Sequence, residues 1–350
     1  MRPAAPARAL SFSGPTTSAP GCTWFLTVAF AAHSKKRRSS LTLAQEAAVA
    51  PPRYELIGSR NAAAIVVLGG ISADRHICAH PDSPTPGWWE SVAGPRRALD
   101  TSRYQLIGCD FIDGGCGSDG RPERIVSTHD QADAVAAVLD DAGVGRVHAV
   151  VGASYGGMVA LAFAERYPDS LERLIVIGAA HRTHPMITAQ RAIQRRIVEL
   201  GLETGRAHDA LALARALGMT TYRSAREFES RFQSTPSSIG ERDARFPVEG
   251  YLQAQGERFA KRFTPARFLA LSLSSDLHSV DPASVRTPTT LVAIEGDAIA
   301  PRDQIEELAR ALGAPSRIRD LCSTNGHDAF LTEPQALGPI FHAALTSDIS

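Results

Sequence analysis

The sequence predicts an α/β protein with a mostly parallel, doubly wound sheet interrupted by a helical insert. Three observations carry this reading. From Tyr54 to about Ala180, short apolar runs alternate with segments of helical periodicity. Between about Thr183 and Ser275 amphipathic helical patterns dominate, without convincing strands. After Pro288 the alternation resumes. Strands separated by helices need crossover connections, which make the strands parallel and cover both sheet faces. The expected division is a sheet domain over 51–182 and 276–350, with an insert over 183–275 sitting as a lid over the C-terminal strand ends.

Each element has a local reason. "AAIVVLGG" (62–70) and "YQLIGCDF" (104–111) are short buried runs, the first ending in glycines. "STHDQADAVAAVLDDAGV" (127–144) opens on capping residues, places apolar residues at helical spacing and stops at a glycine. "VHAVVG" (147–152) reads as a strand, "GMVALAFAERYP" as a helix and "LERLIVIGAA" (171–180) as the next strand. In the insert, "TAQRAIQRRIVELG" and "AHDALALARALGM" are amphipathic helices. "TTLVAIEGD" (289–297), the helix "PRDQIEELARALG", the strand "RIRDLCS" and a last helix close the chain.

The first 50 residues differ from the rest. They hold no acidic residue before Glu46, and the apolar run "CTWFLTVAFAA" is followed by "KKRR". Eleven residues are too few to span a bilayer. The basic cluster follows the run, whereas in a signal peptide it precedes it. A disordered extension over residues 1–50 is therefore expected, and the fold is read from residue 51 onward. A formal net charge of zero points to neither nucleic acid nor a membrane surface as a partner. Cys22, Cys78, Cys109, Cys116 and Cys322 lack paired metal-ligand spacing and read as reduced thiols of a cytoplasmic protein.

Chemistry concentrates at Gly152-Ala153-Ser154-Tyr155-Gly156, between a strand and a helix. That is where a nucleophile elbow sits: small flanking residues permit a tight turn that lifts the serine hydroxyl clear of the sheet. The alternative is a glycine-rich packing turn. A serine at its ordinary pKa needs a base, and the base needs an orienting acid. Asp297 ends the strand "TTLVAIEGD", and His327 follows thirty residues later in "STNGHDAFLTE", in the chain order Ser, Asp, His. The backbone N–H of Tyr155 would face a developing oxyanion. "HRTH" (181–184) and "RHICAH" (75–80) are considered as metal sites, but no accompanying carboxylate or cysteine pattern is visible, and no metal is expected. Gly115-x-Gly117-x-x-Gly120 satisfies a dinucleotide fingerprint in spacing only, because "RPERIVSTH" intervenes before any helix.

Beyond the elbow, "PGWWESVAGPRRALDTSRYQLIG" (86–108), "GGCGSDGRP", "GASYGGMVAL" and "NGHDAFL" occur in that order. With these blocks the chain, over about residues 54–345, resembles the homoserine O-acyltransferases of the α/β-hydrolase superfamily. The resemblance implies an α/β-hydrolase fold with Ser154, Asp297 and His327 as the triad. It also implies a second oxyanion donor at the N–H of Ile71 in "GGIS" (69–72). In "ALARALGMTTYRS" it carries over Arg215 and Tyr222, and after the histidine Asp328, as substrate-facing groups. Homoserine offers a carboxylate for an arginine fork, an ammonium for Asp328 and a hydroxyl for His327. The implied reaction uses acyl-CoA as co-substrate and no permanently bound cofactor, feeds methionine biosynthesis, and is associated with a homodimer. Acetyl and succinyl donors, and homoserine and serine acceptors, all stay open. The insert arginines (Arg191, Arg195, Arg196, Arg206, Arg215) offer one extra cation for a succinyl carboxylate. An esterase would use the same three residues. The chain departs from the family pattern at Gly69-Gly70, where a His-Ala pair is usual, and at Tyr155, where methionine is common.

Overall fold

A computed structural model describes residues 50–347. The expected disordered extension lies outside the described residues except for Ala50. The sheet has seven strands: β1 (Tyr54–Ile57), β2 (Ala63–Leu68), β3 (Tyr104–Cys109), β4 (Ala149–Ala153), β5 (Leu174–Ile177), β6 (Thr289–Ile294) and β7 (Ser316–Leu321). Their spatial order is β1-β3-β2-β4-β5-β6-β7. Only β1 is antiparallel, pairing Tyr54 with Cys109, and every other pair is parallel.

Strand periodicity distributes the core. Val66 and Leu68 join Val150, Val176 and Leu291 on one face, under α1 (Thr128–Asp141) and α2 (Tyr155–Arg166). Their neighbours Ile65 and Val67 join Val151, Ile177 and Val292 on the other, with Trp89, Phe330 and Phe341. Two buried faces explain why these strands read as continuous apolar runs instead of alternating ones. The start of α1 is fixed by a capping box, in which Asp130 N donates to Ser127 Oγ at 3.1 Å and Ser127 N donates to Asp130 Oδ2 at 2.7 Å. Gly143, at φ +70°, follows its end.

Between β5 and β6 lie α3 (Pro185–Glu203), α4 (Ala207–Tyr222), α5 (Ala225–Arg231), α6 (Pro247–Ala260) and α7 (Pro265–Asp276). Val198, Leu211, Ala214, Phe259 and Phe268 give this segment its own apolar cluster. One short hairpin, Ser238–Ile239 with Ala244–Arg245, interrupts the helices where only helical periodicity was expected. Four strand residues are too few to show a period. The chain finishes with α8 (Arg302–Ala311), α9 (Ala329–Thr332) and α10 (Pro334–Thr346). Among the described residues, no helix is long and apolar enough to cross a membrane.

Chain order reverses beside β2. The chain passes from β2 outward to β3, then returns across β2 to β4 and onward to β7. The loops leaving β2 and β4 therefore part at the C-terminal edge of the sheet, the position where open α/β sheets form their binding crevice.

Candidate active site

Ser154 sits at that switch point. It follows the fully buried β4 with φ +55° and ψ −122°, one of two non-glycine residues at positive φ among the described residues. Such a conformation is held by its surroundings, at a cost of order 1–3 kcal/mol. Ser154 N donates to Ile177 O at 2.8 Å, and Gly157 N and Met158 N donate back to Ser154 O. Both flanking glycines are required sterically. A Cβ on Gly152 would lie 2.2 Å from Gly156 O, and one on Gly156 would lie 2.3 Å from Leu68 O. The turn is tight in the way a nucleophile elbow requires, and Ser154 is the only partly exposed residue from Ala149 to Ala160.

His327 Nε2 is 2.8 Å from Ser154 Oγ, and its Nδ1 is 2.7 Å from Asp297 Oδ2. The other carboxylate oxygen of Asp297 accepts from Ile299 N at 2.8 Å and Ala300 N at 3.2 Å. Those bonds orient the acid without competing for the histidine. The side chains of Asp297 and His327 are 0% and 2% exposed, so the relay is screened from water along most of its length. Burial pulls the imidazole pKa down, but the carboxylates of Asp297 and Asp328 outweigh it and hold His327 above its ordinary value. The arrangement can take a proton from Ser154, stabilise the resulting imidazolium and return the proton to a leaving group.

The 69–72 turn lies alongside the elbow. Gly156 N donates to Gly69 O at 2.8 Å, which draws the 69–72 turn against the elbow. The amides of Tyr155 and Ile71 take part in none of the surrounding turn and cap hydrogen bonds. The Tyr155 side chain points elsewhere. Its ring packs edge-on to Phe111 and its hydroxyl lies 2.7 Å from Ser274 Oγ on α7, so only its amide faces the serine. Burial pushes this phenol up to about 12, and it stays neutral.

The insert reaches this centre through α4. Tyr222, at its C-terminus, stacks on His327 with centroids 6.2 Å apart. The Arg215 guanidinium lies between the rings of Tyr222 (4.8 Å) and Phe259 (5.0 Å) and has no carboxylate partner among the described residues. Asp328 is buried and its carboxyl pKa is raised by that burial, against the lowering pull of Arg223, His327 and Arg215. Arg223 Nε is 3.1 Å from Asp328 Oδ2, close as an ion pair but not aligned as a hydrogen bond. Its Nη1 donates to both oxygens of the buried Glu227 at 3.3 Å. Sequence reasoning passed over Arg223, although it is the residue after Tyr222 in "TTYRS".

Tertiary contacts sort the insert arginines and revise one expectation. Arg191 and Arg195 both grip the Asp276 carboxylate, whose side chain is 5% exposed, at 2.9 and 2.5 Å. Arg196 and Arg206 do remain on the surface, paired with neighbouring acids. The histidines of "RHICAH" do have a carboxylate beside them. It is Glu55, which arrives from β1 and so is invisible to local spacing. The Gly115–Gly120 stretch is a loop preceding α1, and a Cβ on Gly120 would meet Leu202 of α3 at 2.7 Å.

The paired tryptophans also find a physical role. Trp89 is fully buried, donates from Nε1 to Phe330 O at 2.8 Å and meets the Phe330 ring edge-on. Phe330 in turn packs edge-on to His327. The "WW" and "HDAF" blocks thus brace each other.

An elbow serine, a buried His–Asp pair and a sheet of this order define a serine-nucleophile enzyme of the α/β-hydrolase class. A family model for the alpha/beta hydrolase fold matches residues 63–334. Homoserine O-succinyltransferase of Xanthomonas campestris pv. campestris is 43% identical over 293 residues, covering 84% of this chain and 78% of that protein. L-serine/homoserine O-acetyltransferase of Streptomyces lavendulae is 35% identical, covering 82% and 89%. The crystal structure of homoserine O-acetyltransferase from Bacillus anthracis superposes with a TM-score of 0.75 at 18% identity, over 85% of this chain and 92% of that one. The chain belongs to the α/β-hydrolase family and, within it, to the homoserine O-acyltransferases.

Proposed function

We propose that the protein transfers an acyl group from acyl-CoA to the hydroxyl of L-homoserine through an acyl-serine on Ser154. The observation that carries this is the unbroken relay Ser154–His327–Asp297, with the Arg215 guanidinium and the Asp328 carboxylate in one electrostatic neighbourhood. His327 takes the Ser154 proton as Oγ attacks the thioester carbonyl. The oxyanion is held by the amides of Tyr155 and Ile71. The C–S bond breaks, the proton passes to the departing CoA sulfur, and the acyl group stays on Oγ. The homoserine hydroxyl then gives its proton to His327 and attacks the acyl-serine, and collapse returns the proton to Ser154.

Arg215 is proposed to hold the homoserine carboxylate and Asp328 its ammonium. Tyr222 holds Arg215 beside its own ring, which stacks on His327, and keeps water from the acyl-serine, so the helical insert acts as the lid that favours transfer over hydrolysis. The chemistry needs no bound cofactor. Succinyl is favoured as the acyl group by one feature of this site. Arg191 and Arg195 share the single carboxylate of Asp276, leaving one positive charge uncompensated close enough to act on His327. The proposed product belongs to methionine biosynthesis, and the reading assigns the enzyme to the cytoplasm. Met186, Ile193 and Leu200 recur every seven residues on α3 as exposed apolar side chains, which supports a homodimer through the insert.

Thiol release is to be measured with acetyl-CoA and succinyl-CoA against homoserine and serine. The expected result is succinyl transfer to homoserine, with a succinyl adduct on Ser154 trapped by mass spectrometry when the acceptor is omitted. Undiminished turnover in Ser154→Ala overturns the mechanism. Ester hydrolysis unaffected by homoserine would make the protein an esterase.

A further inference from the structure

Outside the reaction centre, one group of side chains has donor atoms converging as ligands do. Glu55 Oε2 lies 2.8 Å from His76 Nδ1 and 3.1 Å from His80 Nε2, and the three are partly buried. Among the described residues this is the only set of three or more histidine, cysteine or acidic donors gathered so closely.

The tautomer of His76 makes the cluster informative. Its Nε2 is 2.7 Å from the backbone carbonyl of Thr85, which can only accept, so Nε2 carries the hydrogen. In the neutral ring Nδ1 then presents a lone pair to a carboxylate oxygen that also carries only lone pairs. That contact at 2.8 Å is repulsive unless a cation lies between the two atoms. A proton on Nδ1 is one such cation, and a metal ion is the other. A ligating histidine whose second nitrogen donates to a backbone carbonyl is the usual outer-sphere arrangement of metal sites.

The geometry points to a structural site for a divalent transition-metal ion of the zinc class, held by Glu55 Oε2, His76 Nδ1 and His80 Nε2. Two imidazoles and one carboxylate suit zinc or cobalt(II) and do not suit calcium or magnesium. Partial exposure leaves a fourth position for a solvent ligand. The ligands are fixed in advance. His80 and Ser83 exchange two backbone hydrogen bonds of 3.0 Å, and Trp88 N donates to His76 O at 3.1 Å. Gly87 lies so close to the Ile77 backbone that a Cβ would come within 2.2 Å. Arg75 engages the other oxygen, Oε1, at 3.3 Å and is itself held by Asp110, so Oε2 remains turned toward the histidines. On binding, the ion takes the place of the hydrogens that His76 Nδ1 and His80 Nε2 turn toward Glu55 Oε2; these leave to solvent or move to the other nitrogen of the ring, and both rings coordinate as neutral imidazoles.

The test uses the full chain stripped with a chelator and titrated with Co²⁺ and then Zn²⁺. One equivalent of Co²⁺ is expected to give a visible absorption band that Zn²⁺ abolishes. Zn²⁺ should also raise the melting temperature. His80→Ala and Glu55→Gln should each weaken binding by at least about tenfold while keeping the native circular dichroism spectrum. His76→Ala also removes the Thr85 contact, so His80→Ala is the decisive variant. No band in the native chain, or equal binding by native chain and His80→Ala, overturns the site.

Discussion

Tyr222 lies against His327, its ring 6.2 Å away and 30° from parallel, so a side chain of the insert forms one wall of the proton relay. The same ring also carries the Arg215 guanidinium at 4.8 Å. An arginine positioned by aromatic faces keeps its fork free for a planar anion. Tyr222→Ala should therefore raise KM for the amino-acid acceptor by roughly 10-fold or more, the scale of a lost charge-assisted contact. The burst of CoA released by acyl-CoA alone should change far less. Tyr222→Phe, which retains the ring, should behave almost as the native enzyme. Steady-state kinetics with varied acceptor and a stopped-flow burst without it check both halves.

Gly178 supports the relay from behind. Its φ is +57°, and a Cβ there would lie 3.2 Å from His327 Cε1 and 3.3 Å from Asp297 Oδ2. Gly178→Ala must accept a conformation that costs an L-residue about 1–2 kcal/mol and must also displace one member of the pair. The expected outcome is a kcat lowered by up to about 10-fold, since a shift of a few tenths of an ångström falls short of the ångström-level misplacement that costs about 100-fold. The melting temperature should fall only modestly. Full activity in the variant would show that the relay tolerates a shifted histidine.

How much of this was readable before folding depends on how far apart the cooperating residues stand. The strands were legible because each is an apolar run between turn residues, and Ser154 because it stands between Gly152 and Gly156, where the turn admits no side chain. Asp297 and His327 announce themselves by following strands in the right order. Arg223 did not, because its meaning depends on Asp328, over a hundred positions away. Glu55 was hidden similarly. A lone acid on β1 gains significance only when the β1–β3 pairing carries it to His76 and His80. The direction of the Tyr155 side chain is not legible from its neighbours in the chain, and the elbow turns it toward Ser274 and Phe111.

The charges around His327 predict the acid limb of the pH profile. Acylation needs the neutral Nε2 lone pair, so its rate falls as pH drops through the His327 pKa, which Asp297 and Asp328 raise above the ordinary value of about 6.5. Asp328→Asn removes one of the raising charges, so the acid limb should move to lower pH. Measuring the CoA burst without acceptor from pH 5 to 8 isolates this effect from any role of Asp328 in holding homoserine. A limb that stays fixed, or moves upward, would refute the electrostatic coupling.

His278 sets a separate limit, on stability. It is buried, with Nε2 3.0 Å from Ala180 O and Nδ1 2.9 Å from Thr128 Oγ1 at the start of α1. The carbonyl fixes the hydrogen on Nε2, and Nδ1 accepts from the threonine, so no position is left for a second proton. Burial lowers its pKa to about 3. The unfolded chain, with an imidazole near 6.5, binds that proton throughout the interval between the two values, so stability is lost as pH falls from about 6.5 toward about 3. At pH 5 the loss from this one group should be about 2 kcal/mol. His278→Gln, which keeps hydrogen-bonding atoms but does not titrate, should be less stable than the native chain at pH 7. It should also lose less stability between pH 7 and pH 5. Denaturant melts of both proteins at the two pH values measure the difference directly. Parallel losses would mean that the acid sensitivity arises elsewhere.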